Sequence, residues 1–278
     1  MDPEAQVGDH YTHGTLFEAI ADALASAGID IATATVDQLA ELDHFHGRGL
    51  SATEELLGRL EIAPSSHVLD VGCGIGGPAR YVATRFSCRV TGIDLTEEFC
   101  TVAGRLNAIV GLGERIAIEV GSATDLPFAD AVFDAVYSQN VSMNIADKDR
   151  FYGEMFRVMK PGGVAALAEI ARGAGAEPDY PVPWSSDGRN SFLQAPDAAR
   201  DALTRAGFEI RAWRDLTETV LAANKAQRAH IAEHGPPRLG PHILMGDGAR
   251  EKMRNSARNI EQGRVRPIDI ICRKPGGD

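Results

Sequence analysis

The chain has 278 residues, 28 basic and 39 acidic side chains, a net charge of −11, 44% apolar content and 29 glycines. This is the balance of a soluble globular protein with its own core, and it excludes collagen-like, disordered and polybasic nucleic-acid-coating chains. No run approaches the roughly 18 apolar residues of a membrane span, and MDPEAQVGDH lacks the regions of a secretory leader. Neither nucleic acid nor membrane is therefore expected as a partner, and the expected compartment is the cytoplasm. Cys73, Cys88, Cys100 and Cys272 form no C-x-x-C pair, so reduced thiols are expected. The charge is uneven: residues 1–60 hold 11 acids against 2 bases, whereas 217–278 hold 11 bases against 7 acids.

In chain order, residues 1–62 read as a helical cap. LFEAIADALASAG puts Leu16, Phe17, Ile20 and Leu24 on one stripe, and SATEELLGRL opens with a Ser51/Glu54 capping box. Between them, DHFHGRGL carries Gly47 and Gly49 at an expected bend. From His67 the runs HVLDV, CRVTGIDL, IAIEVG, FDAVYS and GVAALAEI alternate with amphipathic helices. That alternation predicts an α/β fold, a Rossmann-like, doubly wound, mostly parallel seven-stranded sheet whose core spans 63–216. Residues 171–196 interrupt it with a Pro- and Gly-rich segment expected to be a lid insert, while 217–278 predict a helical insertion and a closing strand.

The sharpest local signal is VLDVGCGIGG, in which a strand ending at Asp70 is followed by Gly72, Gly74, Gly76 and a helix. Such a loop lets a ligand approach the backbone at a helix N-terminus. Gly72, Gly74 and Gly77 also fit the dinucleotide spacing, so this loop alone leaves nicotinamide and other nucleoside ligands open. The next strand ends in GIDL, with Asp94 18 residues beyond Gly76, where a carboxylate can accept from ribose hydroxyls. EVGSATDLPFAD, FDAVYSQN and RVMKPGGVAALAEI follow at later strand ends.

Together these segments resemble the class I S-adenosylmethionine-dependent methyltransferases. The chain is most similar to their small-molecule group, which includes ubiquinone, tocopherol and sterol C-methyltransferases and phosphoethanolamine and glycine/sarcosine N-methyltransferases. The resemblance implies S-adenosylmethionine as cofactor. Asp70, Gly72 and Gly74 would hold its aminocarboxypropyl part, Asp94 and Leu95 the ribose and adenine, Ala123 the adenine edge, and Gln139 the ammonium through its backbone. Gly47, in the segment FHGRGLSAT, matches a loop that closes over the methionine end, and Asn140 joins the cofactor residues. Many relatives carry Asp at the adenine amino group where this chain has Ser122, a hydroxyl that accepts without charge assistance. A Tyr–His dyad of the phosphoethanolamine enzymes does not transfer, because Asn144 stands at the matching place and cannot act as a base.

The expected catalytic residues are His46, Tyr11 and Asn140, with His46 read either as a base or as a loop histidine bonded to backbone, and Tyr11 as a ring over the sulfonium. His46, Met143, Asn144, Trp184 and Phe192 are the expected substrate residues, and Tyr180 joins the last two in an aromatic lid. Arg189 is read as a carboxylate receptor or as a solvated side chain. HIAEH, with His230 and His234 at i and i+4, resembles a zinc-peptidase motif but lacks a third ligand, so no metal is expected. The expected substrate is a small aromatic or heterocyclic metabolite methylated at N or O. The alternatives are C-methylation of a quinone or terpenoid-like acceptor, an inactive cofactor-binding module, and a nicotinamide oxidoreductase. A homodimer is the one assembly kept open.

Overall fold

Apolar residues spaced along one face wind the N-terminal segment into α1 (Pro3–Tyr11), α2 (Leu16–Ser26), α3 (Val36–Asp43) and α4 (Leu50–Leu57) in the computed structural model, which describes residues 3–246 and 248–276. The stripe on α2 is buried as its spacing requires, with Leu16, Ile20 and Leu24 packed against Leu39 and Leu42 of α3 and against Phe99, Val102 and Leu106. Each such aliphatic side chain contributes roughly 1.5–3 kcal/mol by leaving water.

The capping box belongs to α3, where the Thr35 hydroxyl accepts from Gln38 N–H and the Gln38 side chain accepts from Thr35 N–H. The box expected at Ser51 and Glu54 does not form. Arg48 and Gly49 take φ of 70° and 52°, a left-handed turn that starts α4 at Leu50, places Ser51 inside the first turn and leaves Gly49 as a cap without a side chain.

Strands β1 (His67–Val71), β2 (Arg89–Asp94), β3 (Ile116–Val120), β4 (Phe133–Gln139), β5 (Met159–Arg172), β6 (Glu209–Asp215) and β7 (Val265–Arg273) make one sheet in the order β3-β2-β1-β4-β5-β7-β6. β1 to β5 are parallel, whereas β7 runs antiparallel to β5 and β6 and so lies inside the sheet. Helices α5 (Gly77–Phe86), α6 (Glu97–Ile109), α7 (Lys148–Val158) and α8 (Pro196–Arg205) connect the strands. The strand order reverses between β1 and β4, which opens a crevice at their carboxyl ends, the usual ligand position of such sheets.

After β6 come α9 (Thr217–His234), α10 (His242–Met245) and α11 (Ala249–Glu261). The acidic cap and the basic tail do meet, but through Leu239 and Leu244, which join the apolar cluster of α2 and α3. The polar bonds there run to backbone carbonyls, Arg238 Nη1 to Ser26 O at 2.8 Å and His13 Nε2 to Leu244 O at 3.1 Å. Among the described residues no helix is long and apolar enough to cross a membrane. All four cysteines are free and buried.

Phe133 anchors the core beneath β4: it is fully buried, with its ring 4.5 Å from that of His67 and 5.1 Å from that of Phe128. Phe133→Ala should cost about 3–5 kcal/mol. Urea denaturation should read this as a lower midpoint at unchanged slope, and an unchanged midpoint would contradict the packing.

Candidate functional site

The turn that follows β1 is stitched to the end of β2. Gly72 and Cys73 N–H both donate to Ile93 O, at 2.8 and 3.0 Å, and Gly74 N–H donates to Asp94 Oδ2 at 2.9 Å. The other Asp94 oxygen accepts Thr96 N–H at 2.9 Å, so both carboxylate oxygens are fixed by backbone donors, and the Thr96 side chain and Leu95 N–H act on the same carboxylate. Glycine is required at 72: φ is +76°, and a Cβ would stand 2.2 Å from Val141 Cγ2. The loop is thus pressed against the end of β4.

Over this loop lies a cavity of ≈ 130 Å³. Of the expected site residues, Tyr11, Gly72, Gly74, Asp94, Leu95, Ser122, Ala123, Asn140 and Asn144 line it. Asn140 enters at φ 55°, a left-handed backbone that a non-glycine residue adopts only when held, here by its N–H donating to Ala168 O at 2.8 Å. Among the described residues, the charged ones that line the cavity are Glu4, Asp43 and Asp94, and no Lys, Arg or His lines it. A second hollow of ≈ 390 Å³, lined by Ala27, Asp37, Gln38, Glu41 and Arg238, lies away from the glycine loop.

Helix α1 forms the roof. Glu4 Oε1 accepts from the hydroxyls of Ser122, at 2.5 Å, and Thr124, at 3.0 Å. Tyr11 donates its hydroxyl to Asn144 Oδ1 at 3.0 Å and sets its ring beside Phe99 and Phe45. Burial, then the nearby Asp94 charge, raises the Tyr11 pKa, so its phenol stays a donor. The turn after α1 is clamped by Glu98, whose carboxylate accepts N–H from His13, Gly14 and Leu16.

Other expected residues stand apart from the cavity. Asp70 is buried behind the loop, accepting from Tyr137 OH at 2.9 Å; burial pushes its pKa up to about 8 against the lowering pull of that bond. His46 belongs to a relay: its Nε2 and His44 Nδ1 lie 3.0 and 2.9 Å from Thr53 Oγ1, which donates to Gln139 Oε1 at 3.3 Å. Gln139 Nε2 has no partner among the described residues. Burial lowers His44 to about 4 and His46 to about 3, which makes His46 a weak base outside the cavity rather than the catalytic one expected. Gly47 is exposed beside it.

The aromatic lid is corrected as well. Trp184 is buried in its own cluster with Met143 and Val182 and donates Nε1–H to Ser191 Oγ at 3.0 Å. Tyr180 packs against that cluster. Phe192 is held through its backbone, by Met143 O at 2.7 Å and Lys148 Nζ at 2.8 Å. None of these four lines the cavity. The Asn144 amide donates to Trp184 O and Asn190 O at 2.9 and 2.8 Å, which ties the insert to the roof through Tyr11. Arg189 pairs with Asp187 on the surface. His230 and His234 stack on α9 with centroids 4.4 Å apart, and the described residues hold no group of three His, Cys, Asp or Glu able to bind a metal.

Sequence reasoning missed Glu4, Asp43 and Glu169. Glu4 brings to Ser122 the carboxylate that position lacks, yet 118 residues separate them and no local pattern links them. Asp43 pairs with the buried Arg80, Nη2 to Oδ2 at 2.8 Å. Glu169 lies buried on β5, accepting from Tyr152 OH at 2.7 Å; burial raises its pKa while Tyr152 and Lys148 lower it. The run of β-branched and small residues around Glu169 reads only as a strand.

Residues 69–167 match the family model described as a methyltransferase domain. The chain is 30% identical over 209 residues to the glycine/sarcosine/dimethylglycine N-methyltransferase of Actinopolyspora halophila, an alignment covering 75% of this chain and 36% of that protein. It is 33% identical over 158 residues to the sterol 24-C-methyltransferase of Eremothecium gossypii, covering 55% and 42%. This chain therefore spans well under half the length of these relatives. Among solved structures, phosphoethanolamine N-methyltransferase 2 of Haemonchus contortus, in complex with phosphomonomethylethanolamine and S-adenosylhomocysteine, has a TM-score of 0.75 at 19% identity, over 99% of this chain and 60% of that one. That likeness establishes the fold.

Two outcomes follow from the geometry. Removing the Glu4 latch by Glu4→Ala should speed amide exchange across residues 3–11 by about tenfold or more, since a charge-assisted bond is worth roughly 1.5–3 kcal/mol; unchanged exchange would mean that other contacts hold α1. His44 is neutral in the fold at about 4 but takes a proton near 6.5 once unfolded. The unfolded chain therefore binds more protons between those values, and this histidine's contribution falls as pH drops through 6.5. Between pH 7 and pH 5, His44→Asn should lose about 1–2 kcal/mol less stability than wild type in denaturant titrations. Equal losses would place His44 in water.

Proposed function

We propose that the protein transfers a methyl group from S-adenosylmethionine to a small-molecule acceptor, a reading supported by the match of residues 69–167 to the methyltransferase-domain model. The observation that carries this reading is the charge of the cavity: Glu4, Asp43 and Asp94 line it and no basic side chain does. A sulfonium and an ammonium are attracted by that field, whereas the pyrophosphate of a nicotinamide dinucleotide would be set against carboxylates. The acceptor there supports the same assignment, because Asp94, fixed by Gly74 and Thr96 N–H, lines the cavity with a carboxylate suited to ribose hydroxyls.

The volume adds a condition. At ≈ 130 Å³ the cavity is below the roughly 300–1,000 Å³ of ligand pockets, so α1 lifts its Glu4 and Tyr11 contacts to admit an adenosyl group and closes again above it. Leu95 and Ala123 then flank the adenine, Ser122 accepts at its edge, and Gly72 and Gly74 present backbone to the aminocarboxypropyl chain. S-adenosylmethionine, when bound, supplies an electrophilic methyl carbon on sulfur. The chain's own contribution is alignment in a dry site, where orientation can be worth roughly 7–11 kcal/mol.

Acceptor chemistry follows from the groups on the cavity wall, where the carboxylates are already engaged, Glu4 by Ser122 and Thr124, Asp94 by Gly74 and Thr96, and Asp43 by Arg80. His46, lowered to about 3, does not line the cavity, and Asn140 and Asn144 cannot take a proton. A nitrogen nucleophile, which sheds its proton to water, is served by such a site; a hydroxyl or a carbon acid is not. We therefore favour an amine acceptor over the aromatic or terpenoid acceptors, since Trp184 and Phe192 do not line the cavity.

Isothermal titration should give binding of S-adenosylhomocysteine and no heat with NADH, and Asp94→Ala should weaken the former by well over tenfold, the worth of one charge-assisted bond or more. Binding of NADH alone would overturn the proposal. With methyl-labelled S-adenosylmethionine and a metabolite extract, label should appear in small amines; label confined to protein or nucleic acid would overturn the acceptor class.

A further inference from the structure

Asp43, the last residue of α3, is 3% exposed and lines the cavity beside Gly72, Gly74 and Ile75. Its two oxygens are used unequally. Arg80 directs Nε, at 3.3 Å, and Nη2, at 2.8 Å, to the same oxygen, Oδ2. Oδ1 has no hydrogen-bond partner among the described residues. The nearest cationic candidate, His44 Nε2, stands 3.6 Å away, beyond hydrogen-bond reach, and burial holds that ring neutral at about 4.

Arg80 is itself fully committed, with Nη1 on Asn107 Oδ1 at 2.7 Å and Nη2 also on Ile75 O at 2.8 Å. The guanidinium therefore fixes the carboxylate's plane and leaves Oδ1 pointing at the start of α5, where a Cβ on Gly77 would come within 2.6 Å of it. A side chain needed only to anchor Arg80 requires one oxygen. Burial raises the Asp43 pKa while Arg80 lowers it, and a second carboxyl oxygen, buried and unbonded, is costly unless something donates to it.

We propose that Asp43 is a cofactor-anchoring residue whose Oδ1 accepts a hydrogen bond from the α-ammonium of S-adenosylmethionine. The inference rests on the cofactor reading above and deepens it. Three sets of donors are available on that molecule. The ribose hydroxyls go to Asp94, and the adenine amino group goes to the Ser122 and Ala123 end of the cavity. Asp43 stands at the opposite, glycine-loop end, where the ammonium is the donor that remains. Closure of the cap thereby becomes sensitive to the amino acid portion of the ligand, because α3 carries the acceptor and the glycine loop carries the rest of the site.

The test compares two ligands on two proteins by titration calorimetry with competitive displacement. S-adenosylhomocysteine carries the ammonium and 5′-methylthioadenosine lacks the whole aminocarboxypropyl group. Asp43→Asn keeps an oxygen for Arg80 and replaces the other by a donor. It should weaken S-adenosylhomocysteine by about tenfold or more while leaving 5′-methylthioadenosine within about twofold. Equal weakening of both ligands, or of neither, overturns the assignment. Should the wild-type protein bind neither ligand, the cofactor reading itself fails, a result distinct from the loss of discrimination. If Asp43→Asn does not fold alone, Asp43→Asn with Arg80→Gln removes both buried charges together and carries the same comparison.

Discussion

The carboxylate of Asp94 is the joint on which the site depends. It accepts Gly74 N–H on one oxygen and Thr96 N–H on the other, while Ile93 O takes the N–H groups of Gly72 and Cys73. Three hydrogen bonds, from the N–H groups of Gly72, Cys73 and Gly74, thus lock the glycine loop to the end of β2, and the loop in turn sets where α5 begins and how closely Asp43 approaches Gly77. Without that joint the loop would have to find its conformation on binding, and the ordering of its backbone would be charged against affinity.

Around this fixed floor the rest of the site is brought by the cap. The excess of acids in residues 1–60 acquires a local meaning, since Glu4 and Asp43 deliver two of the cavity's carboxylates from that segment. Charges separated by more than about 8–10 Å are screened in solution, so the overall polarity between cap and tail does less than these two side chains do at close range. The tail contributes mainly apolar surface, Leu239 and Leu244, that holds α2 and α3 in position.

The floor was legible in the sequence, whereas of the roof only the helical cap and Tyr11 were. Strand alternation, the spacing of Gly72 and Gly74 and the placement of Asp94 are local patterns, and a parallel sheet leaves few ways to arrange them. Glu4 meets Ser122 across 118 residues, a contact that no periodicity encodes. His46 and Trp184 stand apart from the cavity for a common reason: residue type suggests chemistry, but burial decides where a side chain points. Thr53 and the Met143 cluster draw those side chains away from the cavity. The capping box does not form because positive φ at Arg48 and Gly49 moves the cap by two residues, from Ser51 to Gly49.

The proposed binding mode sets the nucleoside end of S-adenosylmethionine in an acid-lined cleft pinned by Asp94, with α1 closing above it. A crystal structure of the complex with S-adenosylhomocysteine tests it most directly. The expected result is both ribose hydroxyls about 2.6–3.2 Å from the Asp94 carboxylate, the adenine between Leu95 and Ala123, and α1 ordered over the ligand. A ribose lying away from Asp94 would contradict the account.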